Sequence, residues 1–190
     1  MNETQLYQSF TVIMEILDAR GYNTSVARES CTPLELSKIF LSSVPSSILI
    51  DNAVRIFYFN HSQYKKHLKV FKFEEEEAPI HLVVLLEKIN HTILKGNNAY
   101  KNFKIKCQIF HISEVMVNIS KHHLVPKHDV LPKKDEQTIL TQYMATKVQL
   151  PWILKTDPMA KFLGLESGQI VKITHTSLTN GEYISYRTCV

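Results

Sequence analysis

Apolar residues recur at helical spacing near the start of the chain, and this pattern predicts two helices. The first is predicted over residues 3–20, and Gly21 follows it at the position of a helix-ending glycine. The second is predicted over residues 32–42, because Thr32 and Glu35 have the spacing of a capping box. The residues that the first helix is expected to bury are Leu6, Phe10, Ile13, Met14 and Leu17.

Short runs of β-branched and aromatic residues follow the second predicted helix and indicate strands. These runs are 48–50, 54–59, 70–73, 80–86 and 106–112. The run 80–86 is apolar at nearly every position, which is typical of a strand covered on both faces. Strands combined with helices predict a small layered α/β structure, and residues 115–119 are expected to lead out of it as a short helix or strand.

A different pattern occupies the last third of the chain and predicts two further helices. One is predicted over residues 133–144. A shorter one is predicted where Asp157 can accept hydrogen bonds from a helix start, Pro158 needs no N–H, and Gly164 can take the left-handed conformation that ends a helix. The residues that the helix over 133–144 is expected to bury are Ile139, Leu140 and Tyr143.

Two strand runs close the chain and complete a small mixed sheet. They are residues 169–175 and 182–188, and they flank Asn180-Gly181, a pair that favours the positive φ of a hairpin turn. The change of pattern divides the chain into an N-terminal domain, residues 1–120, and a C-terminal domain, residues 121–190. The fold class is therefore a two-domain α+β or α/β protein, with a mixed β-sheet and two helices in the second domain.

Composition limits the classes of function. The net charge of +4, from 22 Lys and Arg against 18 Asp and Glu, is too small to indicate a nucleic-acid binder by itself. Three widely spaced cysteines do not suggest a disulfide framework, and no run approaches the roughly 20 apolar residues of a membrane span. The chain is expected to be soluble and intracellular, with no membrane partner. Five glycines and no phosphate-binding loop predict no cofactor and no small-molecule substrate.

Metal binding by histidine is the first chemistry to weigh. Zinc sites normally pair their ligands at short spacing in two clusters. His122, His123 and His128 are close together, but Cys107 and His111 lie on a predicted strand, where four residues span about 13 Å. Hydrogen bonding at the domain joint is the preferred interpretation for His122 and His128, and no metal is expected.

Nuclease chemistry is the second possibility, because acids and a lysine clustered at a strand end can hold a divalent metal and activate water. Glu87-Lys88 follows the apolar strand but lacks the usual Glu-x-Lys spacing, so no catalytic residue is expected. Two lysine-rich segments, 65–72 and 95–106, could contact DNA phosphates or could be ordinary solvated surface.

The segment His122-His123-Leu124-Val125-Pro126-Lys127-His128 resembles the His-x-Leu-Val-Pro-x-His motif of the fifth, shared subunit of eukaryotic RNA polymerases. The same part of the chain is similar to the archaeal counterpart of that subunit, which consists of this C-terminal part alone. Further matching positions follow in the same spacing: Gln149-Leu150-Pro151, Asp157-Pro158-x-Ala160, Phe162, Gly164, Gly168-Gln169, Val171-Lys172-Ile173, Gly181, Tyr183-Ile184 and Tyr186-Arg187.

This resemblance implies a non-catalytic polymerase subunit with two domains. The N-terminal jaw domain would have a nuclease-like, three-layer α/β fold beside downstream double-stranded DNA, contacted without sequence specificity. The C-terminal assembly domain would dock on the largest subunit. The residues expected to face DNA are Thr92, Lys95 and Lys101. The residues expected at the subunit interface are His122, Pro126, His128, Pro151, Trp152, Asp157, Pro158, Gly164, Gly168, Tyr183, Tyr186 and Arg187.

Some alternatives remain open in the sequence. Trp152, Tyr183 and Tyr186 could be interface anchors, because aromatic residues with a polar group suit buried contacts, or they could belong to the core. A divergent metal-dependent nuclease and a stand-alone DNA-binding adaptor are the rival functions. The expected location is the nucleus for a cellular polymerase, and the host cytoplasm and virion for the polymerase of a large DNA virus.

Overall fold

The protein forms two compact units, residues 1–117 and 118–190, in a computed structural model. The structure describes residues 3–41, 47–51, 53–59, 81–86, 106–177 and 181–190. The predicted strand over 70–73 and the lysine-rich segment 65–72 lie outside the described residues. The division between the units falls close to the predicted boundary, whereas the roles of the two domains remain predictions.

Three helices open the first unit. They are α1 (Glu3–Ala19), α2 (Ser25–Ser30) and α3 (Pro33–Leu41). All five residues that α1 was expected to bury are buried. The capping box before α3 is present, because the Thr32 N–H donates to Glu35 Oε2 over 2.9 Å and the Glu35 N–H donates to Thr32 Oγ1 over 3.4 Å.

Helix α2 was not predicted, because it gives almost no periodic signal. Ala27 is its single buried residue. A local contact marks its start: the Asn23 side-chain oxygen accepts from the Ser25 N–H over 3.1 Å. Asparagine is favoured at such positions because it satisfies a free donor at a helix start.

A four-stranded sheet follows in the order β1-β2-β3-β4. Its strands are β1 (Ser47–Ile50), β2 (Val54–Phe59), β3 (His81–Leu86) and β4 (Lys106–His111). The hairpin β1–β2 is antiparallel, whereas β2, β3 and β4 pair in parallel. The mixed α/β character expected of this unit is therefore confirmed. The described residues after β4 form 3₁₀ turns at Ile112–Val115 and Ile119–Lys121.

In the part of the second unit that the structure describes, there are four strands and two α-helices. They are β5 (Lys127–Val130), α4 (Lys133–Gln142), β6 (Trp152–Ile153), α5 (Pro158–Leu163), β7 (Ile170–Ser177) and β8 (Gly181–Cys189). The strand order is β5-β7-β8-β6, antiparallel except for the parallel β6–β8 pair. One face of this sheet packs on α5 and the residues after it, in a core of Ile153, Ala160, Leu165, Val171, Ile173 and Cys189. The mixed sheet with two helices was therefore predicted correctly.

The burial predicted for α4 was wrong. Ile139 and Leu140 are only partly buried. Tyr143 was expected to be buried but is 54% exposed, whereas Glu136 on the same helix is only 6% exposed. The helix ends at Gln142 and Met144 takes a φ of 47°, so the helical period does not extend to Tyr143. Within the described ranges, no helix has the length and apolar character needed to cross a bilayer.

Candidate interaction surface

Histidines at the start of the second unit bind the local backbone. His122 Nδ1 accepts from the Leu124 N–H over 3.2 Å, and the His128 ring nitrogen donates to the Pro126 carbonyl over 2.7 Å. The rings of His122 and His123 stack with their centroids 4.7 Å apart. Hydrogen bonding was the preferred interpretation of His122 and His128, and both rings do form hydrogen bonds, to the backbone two residues away. In the described part of the chain, no group of three or more His, Cys, Asp or Glu side chains is arranged to hold a metal.

Three of the predicted interface residues shape helix α5. Asp157 Oδ1 accepts from the N–H groups of Met159 and Ala160, over 2.8 and 3.4 Å, and Pro158 occupies the first helical turn. Gly164 ends the helix with a φ of 68°, where a residue with a Cβ would be strained. These residues fix the helix that covers the core face of the sheet, and whether they also touch a partner stays a prediction.

A partly buried ion pair links α4 to the sheet, and sequence analysis did not find it. The Lys147 ammonium donates to the Glu136 carboxylate and, over 2.8 Å, to the Gly168 carbonyl. The other Glu136 oxygen accepts from the Ile170 N–H over 3.3 Å. Gly168 has a φ of 84°, and its N–H donates to the Cys189 carbonyl over 2.8 Å. Glycine is favoured at this position because it adopts a positive φ without strain.

The sheet face opposite the α5 core carries a group of exposed or half-buried residues, which we call the aromatic face: Tyr143, Trp152, Ile184 and Tyr186. Trp152 pairs with Thr188, and Ile184, Tyr186 and Thr188 alternate along β8, so these side chains share one face. Trp152 is 58% exposed and Ile184 is 46% exposed. The ring of Tyr143 meets that of Tyr186 edge to face, with centroids 5.7 Å apart.

The sequence left open whether Trp152, Tyr183 and Tyr186 are interface anchors or core residues, and their exposure bears on this choice. Trp152 is exposed and Tyr186 is half-buried. Burial, and secondarily the neighbouring Tyr143, raises the pKa of the Tyr186 hydroxyl. Tyr183 lies on the opposite sheet face, 48% exposed, and stacks on His175 with centroids 4.5 Å apart. The core interpretation is therefore wrong for Trp152 and Tyr183, whereas Tyr186 is only partly buried.

The remaining interface candidates, Pro151 and Arg187, lie at the strand edge. The Pro151 carbonyl accepts from the Thr188 N–H over 2.9 Å. Arg187 Nη1 donates to the Trp152 carbonyl over 3.2 Å. Both residues therefore hold β6 against β8.

The residues expected to face DNA, Thr92, Lys95 and Lys101, lie outside the described residues, as does Glu87-Lys88. A cleft of about 350 Å³ between α2 and β1 is lined by a single carboxylate, Asp51. Asp51 has a φ of 51° in the β1–β2 turn and accepts from the Asn23 N–H over 3.4 Å. One carboxylate in a structural role does not make the acidic cluster of a metal-dependent nuclease.

Comparison with known proteins gives matches to the second unit and to nearly the full length of the chain. Residues 117–189 match the family model described as RNA polymerase Rpb5, C-terminal domain. A relative from Caenorhabditis elegans, named DNA-directed RNA polymerases I, II, and III subunit RPABC1, is 30% identical over 205 residues. That alignment covers 98% of this chain and 96% of the relative. The chain belongs to the Rpb5 family.

Other Rpb5 relatives align over shorter stretches. A Dictyostelium discoideum protein, named DNA-directed RNA polymerases I, II, and III subunit rpabc1, is 36% identical over 68% of this chain and 65% of its own length. An Arabidopsis thaliana protein, named DNA-directed RNA polymerases IV and V subunit 5B, is 36% identical over 57% of this chain and 48% of its own length. The matches thus span about half to two thirds of these two relatives. The resemblance inferred from the His122–His128 motif onward is confirmed.

Proposed function

We propose that this chain is a non-catalytic subunit of a multisubunit DNA-directed RNA polymerase. The observation that carries the proposal is the alignment over nearly the full length with a relative named as a subunit of RNA polymerases I, II and III. The relatives reported above are named as polymerase subunits, and no observation favours the nuclease or the stand-alone adaptor. The relatives are eukaryotic, and a cellular version of the subunit would act in the nucleus.

The second unit is the assembly domain in this proposal, and it docks on the largest subunit. The aromatic face supports this role, because contiguous exposed aromatic side chains mark protein interaction sites. Tyr and Trp are also enriched among the residues that dominate interface energies. Of the twelve predicted interface residues, Trp152 and Tyr186 are the two placed on this face.

The first unit is the jaw domain, and it lies beside downstream DNA. Its parallel β2-β3-β4 pairing is compatible with a nuclease-like α/β fold. The contacts proposed for Thr92, Lys95 and Lys101 would involve phosphates, so they would be sensitive to salt and indifferent to base sequence.

A tagged pull-down in the organism that encodes the chain tests the proposal. The wild-type chain should recover the large polymerase subunits. With the double variant Trp152→Ala, Tyr186→Ala, the amount of polymerase recovered should fall by a factor of about ten or more. Truncation of an aromatic anchor costs about 2 kcal/mol or more. Tyr7→Ala is the matched control, since Tyr7 is a 44% exposed tyrosine of the first unit.

Two results would refute the proposal in different ways. If the wild-type chain recovers no polymerase subunit, the function itself is wrong. If the double variant recovers as much polymerase as Tyr7→Ala does, the aromatic face is not the docking surface. Metal-dependent cleavage of duplex DNA by the purified chain would favour the nuclease instead.

A further inference from the structure

Strand β8 is longer than the strand beside it. It pairs with β7 from Gly181 to Thr188, but with β6 only at Thr188 and Cys189. Among the described residues, no strand lies next to the remaining length of β8 on that side. The second unit therefore has a stretch of strand with one unoccupied edge.

The hydrogen bonds of β8 identify the backbone groups at this edge. The Cys189 N–H donates to the Gln169 carbonyl, toward β7, whereas the Thr188 N–H donates to the Pro151 carbonyl, toward β6. Backbone groups alternate in direction along a strand. The N–H and C=O of Tyr186, Ile184 and Glu182 consequently point away from β7, toward the unoccupied side.

Proline explains where the sheet stops. The next step of the parallel β6–β8 ladder would require residue 151 to donate its N–H to the Tyr186 carbonyl. Residue 151 is a proline and has no N–H to donate. The chain's own pairing therefore ends at Thr188, and the Tyr186 carbonyl is left at the edge.

The two edge strands of the same sheet, β5 and β6, are protected in ways that this stretch of β8 is not. Strand β5 is four residues long and carries an ion pair of 3.1 Å between Lys127 and Asp129. The outward carbonyl of Trp152 on β6 accepts from Arg187. Short charged strands and covering side chains are the usual protection of a sheet edge. The β8 edge has instead Ile184 and Tyr186 beside it.

We propose that Glu182, Ile184 and Tyr186 form an edge to which an extended segment of a neighbouring polymerase subunit adds as a further strand. This inference rests on the proposed function and specifies how the partner is recognised. The segment hydrogen-bonds to the outward N–H and C=O groups of the three residues. It carries an apolar side chain at every second position, because those side chains lie beside Ile184 and Tyr186 on the aromatic face.

Amide hydrogen exchange with residue-level resolution tests the added strand. The tagged full-length chain is measured alone and in the polymerase complex that it recovers. Exchange at Glu182, Ile184 and Tyr186 should slow by about tenfold or more in the complex, because their N–H groups gain acceptors. Exchange at Tyr183 and Ser185, whose N–H groups face β7 in both states, should change far less and is the internal control.

A proline substitution supplies a second test. Ile184→Pro removes one outward N–H without breaking the β7 ladder, a position at which sheets tolerate proline. Recovery of polymerase subunits should fall about tenfold, since one backbone hydrogen bond and the close approach of the added strand are lost. Ile184→Val keeps the N–H and a β-branched side chain, so it should lose far less recovery than Ile184→Pro.

Each outcome supports or overturns the inference. Polymerase recovery with unchanged exchange at the three outward amides overturns the added strand and leaves the proposed function intact. Failure to recover any polymerase subunit overturns both. A discrete dimer of the free chain that protects the same amides as fully as the polymerase complex does would identify a second copy as the occupant, and would also overturn the inference.

Discussion

Removal of the Lys147 ammonium should destabilise the second unit selectively. In Lys147→Ala, the Glu136 carboxylate keeps the Ile170 N–H but loses its cationic partner, and the Gly168 carbonyl loses a donor. Breaking a fully buried pair costs about 3–5 kcal/mol. The Lys147 side chain is 40% exposed, so water can partly replace it. The expected loss is therefore about 2 kcal/mol.

The assay uses the single tryptophan of the chain, because Trp152 reports on the second unit without separating the units. Urea unfolding of the intact protein is followed by Trp152 fluorescence. With a denaturant slope of about 1 kcal/mol per molar for a small unit, the midpoint should fall by about 2 M. Lys134→Ala, at an exposed lysine of α4, is the control and should stay within about 0.5 kcal/mol of wild type.

The double variant Glu136→Gln, Lys147→Met separates the loss of a charged partner from the loss of packing. It removes the unpaired carboxylate but keeps a side-chain oxygen for the Ile170 N–H, so it should be more stable than Lys147→Ala. If Lys147→Ala unfolds at the same urea concentration as Lys134→Ala, the ion pair contributes nothing and the reasoning is wrong.

Three further predictions concern single residues. Asp157→Ala should cost about 1 kcal/mol in the same fluorescence assay, because two N–H groups of α5 lose their acceptor, and Asp157→Asn should recover most of it. Gly164→Ala should cost about 1 kcal/mol, since alanine is strained at a φ of 68°, and an unchanged urea midpoint would contradict this. Burial raises the pKa of the Cys107 thiol to about 12, so less thiolate forms in the folded chain. Iodoacetamide at pH 8 should therefore label Cys107 at least about tenfold more slowly in the folded chain than in the chain unfolded in urea. Because the folded pKa is the higher one, the first unit should also lose stability as the pH rises from about 9 toward 12.

Local signals carried most of what the sequence could predict. The repeating apolar positions of α1, the capping box before α3, and the Asp157 and Gly164 ends of α5 each depend on residues a few positions apart. Helix α2 was missed because it buries only Ala27. Its short length leaves no periodicity to detect.

Contacts between distant residues account for the rest. Glu136 is buried because the chain after α4 returns and places Lys147 and the Ile170 N–H beside it. Such a return leaves no mark in local spacing. The aromatic face depends on the register of β6, a two-residue strand, against β8. The aromatic residues themselves could be proposed as anchors, but not the face that they share.

The open edge of β8 has a consequence for the chain when it is alone. Unpaired backbone donors and acceptors beside exposed aromatic side chains are a template for self-association. We therefore expect overproduced chain to aggregate, or to be removed by proteases, when its partner is scarce. Co-expression with that partner should restore its solubility, so its cellular abundance should follow that of the assembled enzyme.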